Sequence, residues 1–233
     1  MIRNFIFSFF FFTGIIIISL IFLPSLILPK KIVQYGGKLM GLWASFCLKN
    51  FLSTKIIVKG RENIIKNEKF FIAASHQSMF ETFFLQTIFN SPVFILKKEL
   101  TLIPIFGWYL KKIGSISIDR EKISKKNLNF LEKISKIILN SDRPLIIFPQ
   151  ATRVLPKERP SFKRGVGKIF KQLNIACQPV AINSGNVWPK KGIKIPNREI
   201  TVSILKPIMP GLDREEFVKI LEKSIYNELD LIN

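Results

Sequence analysis

The residues of this chain best suited to chemistry are its single histidine, His76, and a carboxylate that follows it, Glu81. An imidazole titrates near neutral pH, so it can act as a general base. A neighbouring carboxylate can orient the ring and stabilise the imidazolium. The histidine comes directly after an apolar run, Phe70 to Ala74, that ends in a polar stretch. Because parallel α/β sheets gather their chemistry at the carboxyl ends of strands, this placement predicts a proton-transfer site.

The spacing restricts how His76 and Glu81 can meet. Five residues along one α-helix correspond to about 140° of rotation, so the two side chains would diverge on a single helix. They can meet only if His76 lies in the turn before a helix and Glu81 lies in its first turn. The run Ser78-Met79-Phe80-Glu81 matches a capping box and predicts a helix that begins at Ser78. The same pattern also allows Glu81 to be only a helix cap, and the sequence leaves both interpretations open.

Two arginines follow two further strand-like runs. Residues 114–120 end in Asp119-Arg120, and residues 148–153 end in Ala151-Thr152-Arg153. Guanidinium groups offer forked donors that match phosphate oxygens. Each arginine alone is weak support, because an arginine after a strand is usually only solvated. A third apolar run, Gln178 to Ile182, completes a set whose order and spacing are specific.

Strand-like and helix-like segments alternate along the chain after residue 55. Residues 125–139 give the clearest amphipathic helix, and Pro104 is expected in the first turn of its own helix. The strands are predicted over 56–58, 69–74, 93–96, 115–118, 145–148, 177–182 and 199–205, and the helices over 79–89, 103–113, 125–139, 163–173 and 213–229. Such alternation predicts an α/β fold with a mostly parallel central sheet flanked by helices.

An uncharged stretch from Asn4 to Pro29 precedes these elements. It exceeds the roughly 20 apolar residues that cross a bilayer. It is too long for the apolar core of a signal peptide and lacks a small-residue cleavage site. Pro24 leaves room for a kink, so the segment either spans the membrane or dips in and returns. We expect a membrane-anchoring helical segment.

Basic residues come directly after this apolar stretch. Lys30 and Lys31 begin a run that has no acidic residue before Glu62, which by the positive-inside rule places the following chain in the cytoplasm. Residues 32–51 contain three glycines together with Tyr35 and Trp43, a composition that favours an interfacial helix over a second span. We therefore divide the chain into an anchor over 1–54 and an α/β domain over 55–233.

The formal net charge of +20 predicts an anionic partner, such as anionic lipid, a phosphorylated substrate or nucleic acid. Cys47 and Cys177 are isolated, so neither a disulfide framework nor a metal site is predicted. The sequence shows no aromatic-interleaved RNA motif and no recognition helix, which argues against nucleic acid. A non-catalytic, membrane-tethered module that binds polyanions stays open as an alternative supported by the charge alone.

Taken in order, these runs resemble the four blocks of the glycerolipid acyltransferases, most closely the 1-acylglycerol-3-phosphate (lysophosphatidate) acyltransferases. The family's blocks have the form His-x4-Asp, Gly-x-x-Phe-Ile-Asp-Arg, Phe-Pro-Glu-Gly-Thr-Arg and a strand that contains Pro-Val. Residues 97–100 and 103–108 are also similar to the family's segment between its first two blocks. The resemblance covers about Ile56 to Leu205 and implies an α/β domain with membrane-attached helices.

The resemblance implies transfer of an acyl group from acyl-CoA or acyl-carrier protein to the free hydroxyl of 1-acylglycerol 3-phosphate, giving phosphatidate. It implies no further cofactor and no metal. It also implies that the domain works on membrane lipid at the cytoplasmic face of the inner membrane. The implied roles are His76 as base, Glu81 as its orienting acid, Arg120, Arg153, Lys97 and Thr152 as ligands of the phosphate, and Gln150 and Ser78 as further contacts of the acceptor.

Three positions depart from the family's pattern. Glu81 stands where aspartate is commoner, Gln150 stands where glutamate is usual, and Ala151 replaces a glycine. If position 151 requires a positive φ, alanine costs on the order of 1 kcal/mol there. These departures leave the reaction class intact but keep another lysolipid, or glycerol 3-phosphate itself, open as the acceptor.

Overall fold

The computed structural model describes residues 1–118 and 128–233, which cluster into two compact units. The first unit combines Met1–Cys47 with Thr82–Leu145, and the second combines Leu48–Glu81 with Ile146–Asn233. Each unit is therefore built from two separate stretches of chain. The division into an anchor over 1–54 and a domain over 55–233 stays a prediction.

The described residues form helices and strands close to those expected from the alternation of apolar runs. In chain order the elements are α1 (Ile2–Ile21), α2 (Lys30–Leu52), β1 (Lys55–Lys59), β2 (Phe70–Ala74), α3 (Phe80–Ile88), β3 (Val93–Lys97), α4 (Phe106–Lys112), β4 (Ile116–Ile118), α5 (Leu128–Leu139), β5 (Leu145–Ile147), α6 (Gly165–Leu173), β6 (Ala176–Ile182), β7 (Glu199–Ile204) and α7 (Arg214–Ile232).

The first unit begins with α1, which is 20 residues long. Among the described residues, it is the one helix that passes as long and apolar enough to cross a membrane. A short 3-10 turn, Leu23–Leu26, separates it from α2 and contains Pro24. The proline therefore lies between two helices, so the chain turns there and does not continue as one kinked helix.

Close contact between α1 and α2 depends on a glycine. A Cβ atom added at Gly14 would lie 2.0 Å from the indole nitrogen of Trp43. That indole nitrogen approaches the carbonyl oxygens of Phe10 and Phe11 at 3.3 Å each and donates to them. Trp43 thus fills the space that Gly14 leaves open, and the two helices form a tight hairpin.

The rest of the first unit holds a parallel pair of strands, with Ile95 of β3 beside Ile116 of β4. Helix α4 begins at Phe106, so the expectation that Pro104 lies in its first turn is wrong. Ile105, between them, has a φ of +63°, a conformation that an α-helix cannot contain. The first residues of the helix predicted over 125–139 lie outside the described residues, and α5 is described from Leu128.

The second unit contains five strands in the order β1-β7-β6-β2-β5. Strand β1 pairs in parallel with β7, and β2 pairs in parallel with β6. Strands β6 and β7 are antiparallel. Residues 183–198 connect them and contain a single 3-10 turn, Ser184–Asn186, in place of the α-helix that usually forms a parallel crossover. The predicted α/β fold with a mostly parallel sheet and flanking helices is confirmed.

Aromatic packing fixes β2 within this unit. Phe71 of β2 contacts Phe170 of α6 and Phe217 of α7, with ring centroids 6.3 and 6.2 Å away. The rings of Phe170 and Phe217 stack on each other at 3.8 Å. All three side chains are buried. The strand that leads to His76 is therefore held by a rigid core.

Candidate active site

The chain leaves β2 along a path fixed by β6. Ala74 lies beside Val180 in the parallel register, and the backbone nitrogen of Ser75 donates to the carbonyl of Val180 at 3.0 Å. The Ser75 hydroxyl donates to the carbonyl of Ile182 at 3.2 Å and accepts from the Ile182 nitrogen at 2.8 Å. The next residue is His76, so the histidine starts from a defined position at the carboxyl end of the strand.

His76 and Glu81 meet in the arrangement that their spacing requires. Helix α3 begins at Phe80, so His76 lies in the preceding turn and Glu81 lies in the first helical turn. His76 Nδ1 is 3.5 Å from Glu81 Oε2. Nδ1 has no partner with hydrogen-bond geometry in the described part of the chain. Catalytic hydrogen bonds are often this long outside the reacting complex and tighten within it.

Glu81 also caps its helix, and this role is compatible with its approach to His76. Its carboxylate accepts from the backbone nitrogens of Gln77 at 3.1 Å and of Ser78 at 3.0 Å. The Ser78 hydroxyl accepts from the Phe80 nitrogen at 3.2 Å. The capping box forms as predicted at Ser78, although α3 itself begins two residues later. One fully buried carboxylate therefore both starts the helix and faces the imidazole.

The His76 ring is held on one face and remains open at one edge. It stacks on Phe148, with ring centroids 4.0 Å apart and planes 17° from parallel. The side chain is 16% exposed, yet Nδ1 is inaccessible to solvent. Its accessible surface therefore lies on the ring atoms away from Glu81, where a substrate hydroxyl can approach.

The loop that carries Arg153 is tied to the histidine. The carbonyl oxygen of His76 accepts from the backbone nitrogen of Val154 at 2.9 Å. Arg153 is half-buried, and Thr152 is exposed with its hydroxyl 3.4 Å from Lys190 Nζ. Two residues predicted to bind phosphate thus lie one or two positions from a direct backbone contact with His76.

The turn before these residues has the backbone conformation that favours glycine. The Ala151 nitrogen donates to the carbonyl of Phe148 at 2.8 Å, and Ala151 has a φ of +61°. Position 151 therefore has the positive φ at which an alanine is strained. An alanine here costs on the order of 1 kcal/mol relative to glycine.

Gln150 is buried in the same turn, with 2% of its surface exposed. Neither amide atom of its side chain meets hydrogen-bond geometry with any described residue. The amide nevertheless lies close enough to Tyr226 to influence its hydroxyl. Burial raises the pKa of Tyr226 to about 12, and the Gln150 contact opposes that rise. A buried amide with spare donors and acceptors can hydrogen-bond a polar ligand.

Three other residues were predicted to contact the substrate, and the structure does not place them on the loop that carries Arg153. Ser78 is fully buried, and both its hydroxyl and its backbone nitrogen serve the start of α3. Lys97 belongs to the first unit, where it is exposed at the carboxyl end of β3. Arg120 lies outside the described residues. Their roles stay predictions.

One further contact with Glu81 was not predicted from the sequence. The Ser184 hydroxyl donates to Glu81 Oε1, and Gln77 Oε1 accepts from the Gly185 nitrogen at 3.1 Å. Ser184 is 103 positions away from Glu81, so no local pattern links the two. The one available signal was that Ser184 follows a predicted strand.

Within the described ranges, no group of three or more His, Cys, Asp or Glu side chains could hold a metal ion. Cys47 and Cys177 are both buried. The chemistry that this arrangement offers is that of an imidazole, a carboxylate and nearby cations.

A family model described as Acyltransferase matches residues 55–183. The chain is 36% identical over 135 residues to the 1-acyl-sn-glycerol-3-phosphate acyltransferase of Pseudomonas aeruginosa, covering 58% of this chain and 52% of that protein. It is 32% identical over 160 residues to the protein of the same name from Helicobacter pylori, covering 67% of each. The Saccharomyces cerevisiae protein of that name is 31% identical over 183 residues, covering 76% of this chain and 59% of that one. The chain thus spans about half to two thirds of these curated relatives.

One solved structure has the same fold along the entire chain. The crystal structure of the 1-acyl-sn-glycerophosphate (LPA) acyltransferase PlsC from Thermotoga maritima superposes with a TM-score of 0.81. The superposition covers 100% of this chain and 98% of that one, at 22% sequence identity. At this level of identity the likeness shows the fold alone.

Proposed function

Since the chain belongs to the acyltransferase family, we propose that it moves a fatty acyl group from acyl-CoA or acyl-carrier protein to 1-acylglycerol 3-phosphate, giving phosphatidate for phospholipid synthesis. This membership confirms the resemblance noted in the four sequence blocks. The names of the relatives support the choice of acceptor. The observation that carries the proposal is a lone imidazole 3.5 Å from a buried carboxylate, tied through its backbone to the loop that holds Arg153.

The proposed reaction needs no covalent enzyme intermediate. The free glycerol hydroxyl attacks the thioester carbonyl while the accessible nitrogen of His76 takes its proton. The tetrahedral intermediate then expels the thiolate, which receives that proton from the imidazolium, and the new ester is released. Glu81 keeps Nδ1 directed at itself and stabilises the charged ring, as the acid does in a serine triad.

Cations beside the base would bind the acceptor's phosphate. Arg153 and Thr152 lie on the loop bonded to His76, and their donors suit phosphate oxygens. Arg120 and Lys97 are proposed as further ligands of the same phosphate. Gln150 and Ser78 are proposed to contact the polar part of the acceptor. No resident cofactor is proposed, and the acyl thioester is a co-substrate.

We propose that the chain is membrane-associated through its N-terminal helix, which is long and apolar enough to cross a bilayer. We place it at the inner membrane with the catalytic residues on the cytoplasmic face. The support is the pair Lys30 and Lys31 directly after the apolar stretch, since basic flanks remain on the cytoplasmic side. The proposed partners are membrane lipid and acyl-carrier protein, the latter as one of the two acyl donors. Nucleic acid is not proposed as a partner.

The base assignment is tested by His76→Ala. The full-length protein in detergent micelles would be assayed for thiol release from acyl-CoA with 1-acylglycerol 3-phosphate. We expect turnover to fall by at least about a thousandfold, because general base catalysis and acceptor activation are lost together. Lys168→Ala, on the exposed face of α6, is the matched control and keeps the wild-type rate.

Wild-type turnover by His76→Ala would reject the base assignment. An unaltered protein without turnover on any thioester, but with salt-sensitive binding to anionic lipid or nucleic acid, would favour the non-catalytic polyanion-binding module instead.

The identity of the acceptor is the second question. Gln150 offers a neutral amide where the family usually has an acid, and this change favours other acceptors as the alternative function. Glycerol 3-phosphate and lysolipids with different headgroups would be assayed against 1-acylglycerol 3-phosphate in the same preparation. The proposal requires the largest kcat/KM for 1-acylglycerol 3-phosphate, and a larger value for another acceptor would replace it.

A further inference from the structure

We propose that Ser184 is a positioning residue for the reaction proposed above, because it fixes the Glu81 carboxylate in the orientation that serves His76. Gln77 supports Ser184 by binding the residue next to it. The proposal depends on the proposed function for its kinetic consequences. For the structure, it predicts that the Glu81 carboxylate loses its fixed orientation when the Ser184 hydroxyl is removed.

The bonding around Glu81 separates the roles of its two oxygens. Oε1 accepts from the Ser184 hydroxyl and from the backbone nitrogens of Gln77 and Ser78. Oε2 accepts from the Ser78 nitrogen at 3.1 Å and lies 3.5 Å from His76 Nδ1. Three donors therefore hold Oε1. They set the rotation of the carboxylate, and this rotation leaves Oε2 facing the His76 ring.

The Ser184 hydroxyl is itself held by close packing of its loop against the histidine loop. The nitrogen of Gly185 donates to Gln77 Oε1 at 3.1 Å. A Cβ atom added at Gly185 would lie 2.9 Å from both Cβ and Oε1 of Gln77, and 3.0 Å from Pro156. Only a glycine permits this approach, so the loop after β6 is fitted to the loop after β2.

The residue before Ser184 anchors the loop from the other side. The Asn183 side-chain oxygen accepts from the Thr201 nitrogen at 2.7 Å, and its amide donates to the carbonyl of Ile232 at 2.5 Å. Asn183 is thereby bonded to β7 and to the end of α7. Ser184 starts from a rigid position, which a residue needs if it is to orient another side chain.

The hydrogen bond from Ser184 restricts a glutamate side chain that is longer than an aspartate. Glutamate has one more rotatable bond than the aspartate that is commoner in the family, so its carboxylate can adopt more orientations. A donor on the side of Oε1 removes that freedom at the cost of burying one more hydroxyl. The extra side-chain length and the Ser184 hydrogen bond are therefore parts of one arrangement.

A direct test uses the fact that His76 is the only histidine. With 15N-labelled histidine in the full-length protein, multiple-bond proton–nitrogen correlations at about pH 8 report which ring nitrogen is protonated. The wild type is expected to carry the proton on Nδ1, facing Glu81. In Ser184→Ala the Nδ1-protonated fraction falls toward the value in Glu81→Gln. An unchanged tautomer in Ser184→Ala overturns the proposal, whether or not the protein transfers acyl groups.

Kinetics provide a second readout that a purely structural role would not move. Ser184→Ala is expected to lower kcat about tenfold to a hundredfold, as for loss of one hydrogen bond to a charged group, with the KM for the acceptor within about twofold. Ser184→Thr keeps the hydroxyl and restores most of kcat. A fall in kcat of the same size in both variants, or a loss confined to KM, contradicts positioning through Glu81.

A double-mutant cycle assigns the effect to the carboxylate. If Ser184 acts only through Glu81, adding Ser184→Ala to Glu81→Gln changes kcat by less than about twofold. Additive losses would show an independent role and overturn the proposal. If the unaltered protein has no transferase activity, the proposed function fails, and the tautomer measurement alone then decides the role of Ser184.

A different observation, in the first unit, carries a second proposal: we infer that residues 97–112 form a surface that lies on an anionic bilayer. Leu102, Ile103 and Trp108 have exposed fractions of 70%, 45% and 51%. These are large apolar side chains close together in sequence, and an exposed apolar patch of this kind marks an interaction site. We call this stretch the 97–112 segment.

Two features identify the occupant as lipid. The Tyr109 hydroxyl donates to the carbonyl of Ser19 at 2.6 Å, which attaches α4 to the last turns of α1, close to where the apolar stretch ends before Lys30. The segment also carries exposed lysines, Lys97, Lys98 and Lys111, with Glu99 as its one acid. Apolar tips with a tryptophan and a basic fringe are the composition of a membrane-interface element.

The surface is tested with a nitroxide at Leu102→Cys in the full-length protein. Cys47 and Cys177 are buried, so they leave the engineered thiol as the reactive one. In vesicles of phosphatidylglycerol and phosphatidylethanolamine, oxygen is expected to relax the label more efficiently than a water-soluble nickel chelate does. The vesicle-free protein and a label at Leu231→Cys, which is 80% exposed on α7, calibrate the aqueous response. A label at position 102 that responds in vesicles as it does in water rejects a membrane contact.

Discussion

At the scale of single residues, the most informative side chain is Glu81. Its carboxylate caps α3 through the nitrogens of Gln77 and Ser78 and still lies 3.5 Å from His76 Nδ1. A carboxylate has two oxygens with several acceptor sites, so these tasks do not compete. A side chain required by the local fold thereby also lies where it can orient the imidazole.

Ala151 gives a prediction about stability. With a φ of +61°, Ala151→Gly is expected to raise the free energy of unfolding by about 1 kcal/mol, because glycine accepts a positive φ without steric cost. Denaturant titration in detergent measures the change. Ala176→Gly, in strand β6 with an ordinary φ, is the control and lowers stability instead. Equal effects of the two substitutions would contradict the assigned strain.

Cys177 gives a prediction about reactivity. Burial raises the pKa of this thiol well above its ordinary value, and the side chain is inaccessible. At any pH below the raised pKa, the reactive thiolate is scarcer than in a free cysteine, so native protein should resist N-ethylmaleimide and keep its turnover. Mass spectrometry after labelling checks this, with urea-unfolded protein as the fully labelled reference. Stoichiometric labelling of Cys177 in the native protein would show that the site opens.

At the scale of secondary-structure elements, the α1–α2 hairpin depends on the absence of a side chain at one position. The indole of Trp43 occupies the space beside Gly14 and donates to two carbonyls of α1. Small residues permit such close approach between helices in apolar surroundings. Bulk at position 14 therefore has to displace the indole or the helix.

Gly14→Leu is expected to lower the free energy of unfolding by about 1–3 kcal/mol through this overpacking. Adding Trp43→Ala should recover part of the loss, because the leucine then fills the vacated space. Gly165→Leu is the matched control, since a Cβ atom there meets nothing within 4 Å. Thermal unfolding in detergent reports all four proteins. Failure of Trp43→Ala to relieve the Gly14→Leu defect would place the clash elsewhere.

At the scale of the whole molecule, the net charge of +20 bears on how the protein reaches its membrane. Long-range attraction to anionic lipid is screened by salt, and the Debye length falls from about 30 Å at 0.01 M to about 3 Å at 1 M. The association rate with phosphatidylglycerol vesicles should therefore fall steeply over this range, as measured by stopped-flow light scattering. Phosphatidylcholine vesicles should show little salt dependence. If the association rate depended equally on salt for both lipids, attraction between opposite charges would not explain the association.

Local patterns in the sequence were enough to predict the fold class and the arrangement of His76 and Glu81. Alternating apolar runs predicted the α/β fold, and the capping box placed His76 before a helix and Glu81 within it. These features depend on periodicity and on contacts over a few residues, which a sequence carries directly. The four motifs, taken in order, gave the family.

Tertiary structure alone decided the features that depend on pairing between distant strands. The parallel register of β2 with β6 brings Ser184 to Glu81 across 103 positions, and no local pattern encodes such a contact. The antiparallel step between β6 and β7 likewise followed from how their connection folds, and not from the alternation of strands and helices. Periodicity specifies which face of an element is apolar, but the partner of that face is chosen by the packing of the whole chain.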